Sequence, residues 1–338
     1  MNLEFKDGFF LRIGANSQKM NREQIIEFLQ FEGKIKFEEQ FNKYFDFEKH
    51  YSGKKLIGYL KLAGITKNLD DLIILENLGV LTYAGSIPKI NNAGVLFFSN
   101  KQDTLIEQAT ITCAVFDGKK RINVINRKDF SEDIITNIDS AIQFIKQSLK
   151  VSYKMTGEAR REEIYEIPLE AIREVVVNAV AHRDYFATGC HTTIDIFDDR
   201  LEIGNPGGLP KGLTVESFGK KAVRRNPIIT NLLQRCNLVE NMGTGINKIK
   251  NLCADNNVKK PDFVFDEFFT VIFKRLEINE EINEVLVVIK NNPKIKAFPI
   301  AQHVNKPKKT IDRYLKKLKD LGLIEYRGSN KSGGYYAI

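Results

Sequence analysis

Residues 168–185 read Pro-Leu-Glu-Ala-Ile-Arg-Glu-Val-Val-Val-Asn-Ala-Val-Ala-His-Arg-Asp-Tyr, and this pattern predicts one long helix. Pro168 suits a first helical turn, and Glu170 follows where the positive end of the helix dipole favours an acid. The apolar side chains recur at helical spacing and are expected to face a core: Ile172, Val175, Val176, Ala179 and Val180.

Three polar side chains, Glu174, Asn178 and His182, follow one another at intervals of four residues on the same helix. Residues at this spacing are neighbours on a helix surface, so a carboxylate, a carboxamide and an imidazole share one stripe. The stripe has two interpretations. The three groups converge on one ligand, or they form the solvated face that amphipathic helices normally carry.

The helix is followed by a predicted hairpin and a glycine-rich loop. Residues 190–197 alternate as a strand does, residues 198–200 make a turn, and residues 201–203 return as a second strand. The strand leads into Gly204-Asn205-Pro206-Gly207-Gly208-Leu209-Pro210, which is rich in residues that bring backbone close to a ligand.

A second glycine-rich turn lies further along the chain. Residues 224–227 read Arg-Arg-Asn-Pro and precede a predicted helix at 228–236. Residues 240–246 then read Glu-Asn-Met-Gly-Thr-Gly-Ile and open another helix that continues to about residue 254. Exposed amide groups and a partial positive charge at such a helix start suit phosphate.

Together these segments resemble the nucleotide-binding fold of gyrase, histidine kinases and mismatch-repair ATPases. More closely, they resemble the RecG C-terminal-like ATPase domains of bacterial transcriptional regulators. Four signatures carry this resemblance: Asn-Ala-x-x-His-Arg-Asp-Tyr at 178–185, Glu-Ile-x-Asn-Pro-Gly-Gly-Leu-Pro at 202–210, Arg-Asn-Pro at 225–227 and Glu-x-x-Gly-Thr-Gly-Ile at 240–246.

The resemblance implies ATP and Mg²⁺ as ligands and a role for each matching residue. Glu174 corresponds to the catalytic carboxylate that polarises the attacking water, and Asn178 to the amide that binds both the nucleotide and its metal. The other implied nucleotide-binding residues are Asn205, Gly207 and Gly208 at the adenine side, Gly243, Thr244 and Gly245 at the phosphates, and Arg225 as an anion partner.

One position departs from the family pattern. Where the related ATPases have an aspartate that accepts from the adenine amino group, this chain has Gly204-Asn205. The contact is therefore either missing or supplied by the Asn205 amide. A site for adenine nucleotides, a site for another nucleotide and a site that binds none all stay open.

The composition of the chain limits the classes of protein to which it can belong. The chain has 338 residues, 43% of them apolar, which is enough for two or three domains with buried cores. The N-terminus has no signal pattern, no apolar run approaches the length of a membrane span, and the four cysteines have no Cys-x-x-Cys spacing. We expect a soluble cytoplasmic protein that has no zinc or disulfide framework and no membrane partner.

The first part of the chain carries weaker patterns. Residues 5–13 predict a strand around a Lys6-Asp7-Gly8 turn, and residues 21–31 predict a helix. Together they resemble the closing segment of a Schlafen-type AlbA-like DNA-binding domain, and we expect the bulk of that domain to be missing. Two short helices are expected at 56–63 and 69–78, and a long one at 132–149. The charged residues 155–163 predict a loop or a hairpin.

The last sixty residues carry most of the basic charge. They hold 12 Lys and Arg against 6 Asp and Glu, a net +6 of the chain's +8. Helices are predicted at 280–290, 299–304 and 308–321, followed by strands around the turn Gly-Ser-Asn-Lys-Ser-Gly-Gly. This order resembles a winged helix-turn-helix domain. The expected DNA-binding residues are Lys308, Lys309, Thr310, Arg313, Lys316, Lys317 and Lys331. A winged helix that serves only protein contacts is the alternative.

The sequence therefore predicts an α+β multidomain protein with a central α/β sandwich resembling the gyrase and histidine kinase ATPase fold and a C-terminal winged helix. The expected domains are an AlbA-like remnant at 1–50, a mixed α/β connector at 51–155, the ATPase-like domain at 156–278 and the winged helix at 279–338. The expected function is transcriptional regulation, with a nucleotide gating the binding of double-stranded DNA by a possible homodimer. The alternative is an ATP-hydrolysing enzyme acting on nucleic acid; no Gly-x-x-x-x-Gly-Lys-[Ser/Thr] loop supports a helicase.

Overall fold

The computed structural model describes residues 8–155, 161–239, 244–256, 258–275, 280–320, 322–329 and 332–338. The chain divides into two compact units, Met1–Phe273 and Lys274–Ile338. The four domain boundaries expected from the sequence stay predictions. Among the residues described, no helix has the length and apolar character needed to cross a membrane.

The first unit begins with short elements. They are β1 (Phe10–Ile13), β2 (Asn16–Lys19), α1 (Arg22–Phe31), a 3-10 turn (Phe37–Glu39), α2 (Phe47–His50), α3 (Gly53–Leu62), α4 (Asp71–Asn77), β3 (Leu81–Ala84) and β4 (Ile87–Ile90). The helices expected near residues 21, 56 and 69 are confirmed. The strand expected at 5–13 is instead the first half of a hairpin, because Gly14 adopts a φ of +61° and turns the chain back. Residues 5–7 lie outside the described part.

The middle of the unit contains α5 (Asn92–Phe98), α6 (Gln102–Leu105), β5 (Ile111–Asp117), β6 (Asn123–Phe130), α7 (Ile134–Ser148), β7 (Val151–Met155) and β8 (Arg161–Tyr165). The long helix expected at 132–149 is confirmed as α7, and β7 pairs with β8 in the hairpin expected near 155–163. Residues 156–160 between these strands are not among those described.

The last part of the unit contains α8 (Leu169–His182), β9 (Thr192–Ile196), β10 (Arg200–Pro206), α9 (Pro227–Arg235), α10 (Gly245–Asp255), β11 (Asp262–Phe265) and β12 (Phe268–Lys274). Six strands form one mixed sheet in the order β11-β12-β10-β9-β5-β6, in which β5 and β9 run parallel. This is the mixed α/β unit that the sequence predicts; the more specific expectation of a gyrase-type fold stays a prediction.

Helix α8 is the central helix of this unit. Its five predicted core residues are all buried, and it packs against α7, α10 and β10. The helix ends at His182, three residues earlier than the sequence suggests. It ends there because the chain is held by other bonds: the Asp184 N–H donates to the Pro206 carbonyl (2.9 Å), and Asn226 Nδ2 donates to the carbonyls of Ala181 (3.0 Å) and Arg183 (2.8 Å).

The second unit contains α11 (Glu280–Asn291), α12 (Ala297–His303), α13 (Lys308–Asp320), β13 (Ile324–Arg327) and β14 (Gly334–Ala337). Its core holds the inward residues that the helical spacing predicts, among them Val285 of α11 and Ile311 and Leu315 of α13. Strands β13 and β14 pair antiparallel as a wing. The helix-turn-helix order and the wing are therefore confirmed.

Candidate functional site

The polar stripe of α8 faces a cavity. Glu174, Asn178 and His182 all line a partly open space of about 150 Å³ between α8, the loop after β10, residues 218–224 and the start of α10. Of the two interpretations of the stripe, the structure therefore favours convergence on one space over a solvated face. A cavity of this size accepts one aromatic ring system and is smaller than the 300–1,000 Å³ typical of drug-sized ligands.

Glu174 and Asn178 are joined directly. Asn178 Nδ2 donates to Glu174 Oε1 at 3.0 Å, and Glu174 is only 8% exposed. The first residue of α10, Gly245, packs against both side chains, and a Cβ atom at this position would collide with the Glu174 carboxylate. A larger residue where α10 begins would therefore displace the Glu174 carboxylate, a steric relationship that the local sequence does not reveal.

Asn205 supplies an uncommitted acceptor in the wall of the cavity. The residue is 1% exposed, and its Nδ2 donates to the Pro206 carbonyl at 3.3 Å. Its Oδ1 has no hydrogen-bond partner among the described residues. Because a buried unpaired acceptor costs free energy, a ligand with an N–H or amino group would be favoured here.

His182 is neutral at physiological pH. Burial, with the positive charges of Arg225 and Arg224, lowers the pKa of His182 to about 4. The imidazole can donate or accept a hydrogen bond at pH 7, but it brings no charge to the cavity. His182 lies on the polar stripe of α8, but it is not one of the residues that the sequence predicts to bind a ligand.

Aromatic residues form the part of the wall that sequence reasoning missed. Phe218 and Phe269 line the cavity, and the ring of Phe218 lies 4.7 Å from Phe265 and 5.3 Å from Phe263 between centroids. The phenylalanines at 263, 265 and 269 were the available signal, since they lie on two neighbouring strands; no comparable signal marks Phe218. The apolar faces of Phe218 and Phe269 suit a planar ligand.

Arg225 lies on the other side of the loop formed by residues 207–210. Its guanidinium donates to the Gly208 carbonyl (2.7 Å) and to the His182 carbonyl (3.3 Å), and a Cβ atom on Gly207 would collide with it. Arg225 lines a second cavity of about 760 Å³ that shares this loop with the first. The structure thus gives Arg225 a bracing role in the loop and does not bring it into the cavity that holds Glu174.

The remaining expected residues of the site divide as follows. Gly207, Gly208 and Gly245 line the cavity of Glu174, while Thr244 occupies the position before α10 and does not line it. Gly243 lies outside the described residues. No group of three His, Cys, Asp or Glu side chains in the described part could hold a metal ion. A Mg²⁺ ion here would depend on Asn178 together with ligand phosphates and water.

The second unit presents a basic helix face. Lys308, Lys309, Arg313 and Lys316 of α13 are exposed, while Thr310 and Lys317 are partly buried at its edges. The aliphatic and aromatic side chains of α13 are buried on the opposite side, and the Arg313 guanidinium lies over the Tyr314 ring. Lys331 lies outside the described residues.

Two family models match parts of the chain. Residues 189–273 match the model described as "Putative ATP-dependent DNA helicase recG C-terminal", and residues 299–326 match the model described as "Bacterial regulatory protein, arsR family". The first match begins after α8, so Asn205, Gly207, Gly208 and Gly245 lie inside it and Glu174 and Asn178 lie outside. The second covers most of α12 and all of α13.

A search of the curated proteins found no match. Among solved structures, the DIP2311 protein from Corynebacterium diphtheriae matches with a TM-score of 0.59 and 19% identity, over 98% of this chain and 70% of that one. At this identity the likeness is one of fold alone. The two family matches support a DNA-binding regulator that carries an ATPase-like domain.

Proposed function

We propose that this chain is a bacterial transcriptional regulator whose ATPase-like domain binds a nucleotide in the cavity beside α8, and that nucleotide binding gates DNA binding by the helix-turn-helix. The observation that carries the proposal is the convergence of Glu174, Asn178, Asn205 and Gly245 on one cavity. These residues come from three separate elements: Asn205 suits the base of a nucleotide, and Glu174, Asn178 and Gly245 suit its phosphates.

The base is assigned to the enclosed part of the cavity. The unpaired Oδ1 of Asn205 accepts from an exocyclic amino group or a ring N–H, and the rings of Phe218 and Phe269 provide apolar contact. A volume of about 150 Å³ holds the base but not a whole nucleotide, so the sugar and phosphates extend toward the start of α10.

The phosphates are assigned to the region of Glu174, Asn178 and Gly245. The start of α10 offers backbone N–H groups and a positive dipole end. A bound Mg²⁺ would neutralise phosphate charge, with Asn178 Oδ1 as its protein ligand. Glu174 would orient a water for in-line attack, so slow hydrolysis is part of the proposal.

DNA binding is assigned to the exposed face of α13. Lys309, Arg313 and Lys316 lie opposite the buried residues of the same helix, the position from which a recognition helix meets the major groove and its phosphates. A homodimer would present two such helices to paired half-sites, and it is proposed on that general ground.

The test is calorimetry of the full chain with ATP and Mg²⁺, comparing wild type with Asn178→Ala and with Asn126→Ala. Asn126 lies exposed on β6 and serves as a matched control. We expect saturable binding that Asn178→Ala weakens at least about tenfold and Asn126→Ala leaves unchanged. Absence of binding by the folded wild-type protein would refute the nucleotide site.

Gating is tested on the same samples with duplex DNA. We expect the affinity for DNA to change severalfold when ATP and Mg²⁺ are added, and the Asn178→Ala protein to lose this change while keeping its nucleotide-free affinity. Equal DNA affinities with and without bound nucleotide would refute gating. Rapid ATP hydrolysis without salt-sensitive duplex binding would favour the alternative of an enzyme acting on nucleic acid.

A further inference from the structure

Glu38 is a completely buried acid with an unusual pair of partners. It lies in the 3-10 turn Phe37–Glu39 and is 0% exposed. Its two carboxylate oxygens accept from the backbone N–H groups of Ile228 (2.9 Å) and Ile229 (2.8 Å), which belong to the first turn of α9. The N-terminal end of a helix leaves such N–H groups unsatisfied and favours a negative charge. Glu38 therefore caps α9 from a distant part of the chain.

The residue that would normally cap α9 is used elsewhere. Asn226 occupies the N-cap position but makes no side-chain cap hydrogen bond, because its Nδ2 donates to the carbonyls of Ala181 and Arg183 at the end of α8. Its neighbour Arg225 donates to the carbonyls of His182 and Gly208. Residues 225–226 thus tie the start of α9 to the end of α8 and to the loop in the cavity wall.

We propose that Glu38 is a positioning residue for the cavity: by fixing the first turn of α9 it fixes Arg225 and Asn226, which in turn hold the end of α8 and the turn at Gly207 and Gly208. The effect on nucleotide affinity rests on the proposed function. The effect on the structure rests on the hydrogen bonds alone.

The hydrogen bonds that Glu38 accepts from Ile228 and Ile229 depend on the protonation state of its carboxyl group. Burial raises the pKa of the Glu38 carboxyl to about 7, and Glu39 adds to this, while the two backbone N–H groups and Lys36 act in the opposite direction. Tyr185, whose ring stacks on Phe37, is a further titratable group close to Glu38, and α5 contributes the uncharged Asn92 amide. Because burial raises the pKa, the buried arrangement favours the protonated carboxyl, so the hold of Glu38 on α9 is strongest at low pH and weakens as the pH rises through 7.

Amide hydrogen exchange tests this without any ligand. The reporters are the N–H groups of Ile228 and Ile229, of Asp184, which donates to Pro206, and of Gly207, which donates to the Glu267 carbonyl at 2.9 Å. Wild type, Glu38→Gln and Glu39→Gln are compared at pH 6 and pH 8 after correction for intrinsic exchange. Glu39 is the matched control, since it is partly exposed and pairs with Lys36.

At pH 8 we expect Glu38→Gln to speed exchange on the order of tenfold at all four reporters and Glu39→Gln to leave them unchanged. Wild type is expected to exchange more slowly at pH 6 than at pH 8 at the same four reporters, which keeps the test available if the variant does not fold. Faster exchange at Ile228 and Ile229 alone would overturn the proposal, because Glu38 would then be a local cap only. Unchanged exchange everywhere would also overturn it.

Calorimetry with ATP and Mg²⁺ then measures the consequence for the site. Glu38→Gln is expected to weaken binding about fivefold or more at pH 8, and Glu39→Gln to have no effect. Equal affinities in all three proteins would overturn the link to the cavity. A wild-type protein that binds no nucleotide would refute the proposed function, whereas the exchange pattern would still decide the role of Glu38.

Discussion

Asn178 Nδ2 donates a 3.0 Å hydrogen bond to Glu174 Oε1, one helical turn earlier in α8. The bond sets the orientation of the carboxamide, so that Nδ2 meets the carboxylate and Oδ1, the atom able to coordinate a cation, lies on the other side. Under the proposed function, this contact would prepare Glu174 as an acceptor for water and Asn178 Oδ1 as a ligand for Mg²⁺. Mutations of Glu174 and of Asn178 should therefore have different effects on nucleotide binding and on hydrolysis.

Glu174→Gln should separate binding from hydrolysis. The glutamine carbonyl can still accept from Asn178 Nδ2, so we expect ATP affinity to stay within about threefold of wild type. Any ATP turnover should fall by roughly 100-fold or more, because an amide cannot act as a general base. Phosphate release and calorimetry on one preparation measure the two quantities. Unchanged turnover would show that Glu174 is not the catalytic carboxylate.

Gly245→Ala should damage the site through its shape. The added Cβ would collide with the Glu174 carboxylate, which would have to shift away from Asn178 and into the cavity. We expect a loss of about 1–3 kcal/mol in the free energy of unfolding together with weaker nucleotide binding. Denaturant unfolding and calorimetry measure the two effects.

Gly58→Ala is the matched control for this change. Gly58 lies in α3, is exposed, and a Cβ atom there meets no heavy atom within 4 Å. Alanine is the better helix former, so this variant should gain about 0.5–1 kcal/mol and bind nucleotide as wild type does. Equal behaviour of the two variants would contradict the steric role of Gly245.

Asn205→Asp should reveal which ligand the cavity prefers. A carboxylate at this position places a charged acceptor where Oδ1 now has no partner among the described residues. We expect ATP to bind roughly tenfold more tightly, because charge-assisted hydrogen bonds are about twice as strong as neutral ones. Asn205→Leu should bind ATP more weakly than wild type. Calorimetry with ATP and with a nucleotide lacking the amino group measures the preference, and no difference between the variants would place the base elsewhere.

Stability should depend on pH in a way that His182 explains. Its folded-state pKa of about 4 lies below the ordinary value of 6.5, so the unfolded chain binds the proton more readily. The stability that His182 contributes is present above pH 6.5 and is lost as the pH falls toward 4, by up to about 3 kcal/mol. His182→Asn should remove this loss of unfolding free energy toward acidic pH, and denaturant unfolding at several pH values measures it; an unchanged profile would contradict the lowered pKa.

Glu38 should act with the opposite sign. Its folded-state pKa of about 7 lies above the ordinary 4.5, so the folded protein binds the proton more readily. Its contribution is present below pH 4.5 and is lost as the pH rises through 7. Because the two groups oppose each other over nearly the same range, the wild-type profile should be flatter than that of either single variant.

Local patterns predicted most of the elements but few of the contacts between them. Helices α7, α8 and α13 follow from apolar spacing, because one buried face repeats along each of them. The end of α8 was predicted three residues late. Nothing near Tyr185 in the sequence signals that Asn226, more than forty residues away, takes the last carbonyls of the helix.

In the candidate site, too, the sequence predicts features within one element but not the contacts between elements. The spacing of Glu174 and Asn178 is visible in the sequence because both lie on one helix. The cap that Glu38 gives to α9 is invisible, since an acid between Phe37 and Glu39 has no local feature that marks it as buried. Arg225 was expected at an anion for its charge, whereas the structure uses its planar donors on two carbonyls.

The positive charges on the exposed face of α13 should make a measurable contribution to the salt dependence of DNA affinity. Arg313→Ala and Lys316→Ala each remove one positive charge from that face, whereas Lys290→Ala removes one from the exposed end of α11. If Arg313 and Lys316 each contact a phosphate, each substitution should reduce the slope of log K against log salt by about 0.9, and Lys290→Ala should leave it unchanged. Fluorescence anisotropy with a labelled duplex at several salt concentrations measures the slope. Equal slopes for all three variants would mean that α13 meets solvent or protein, and would leave the helix-turn-helix as a contact module.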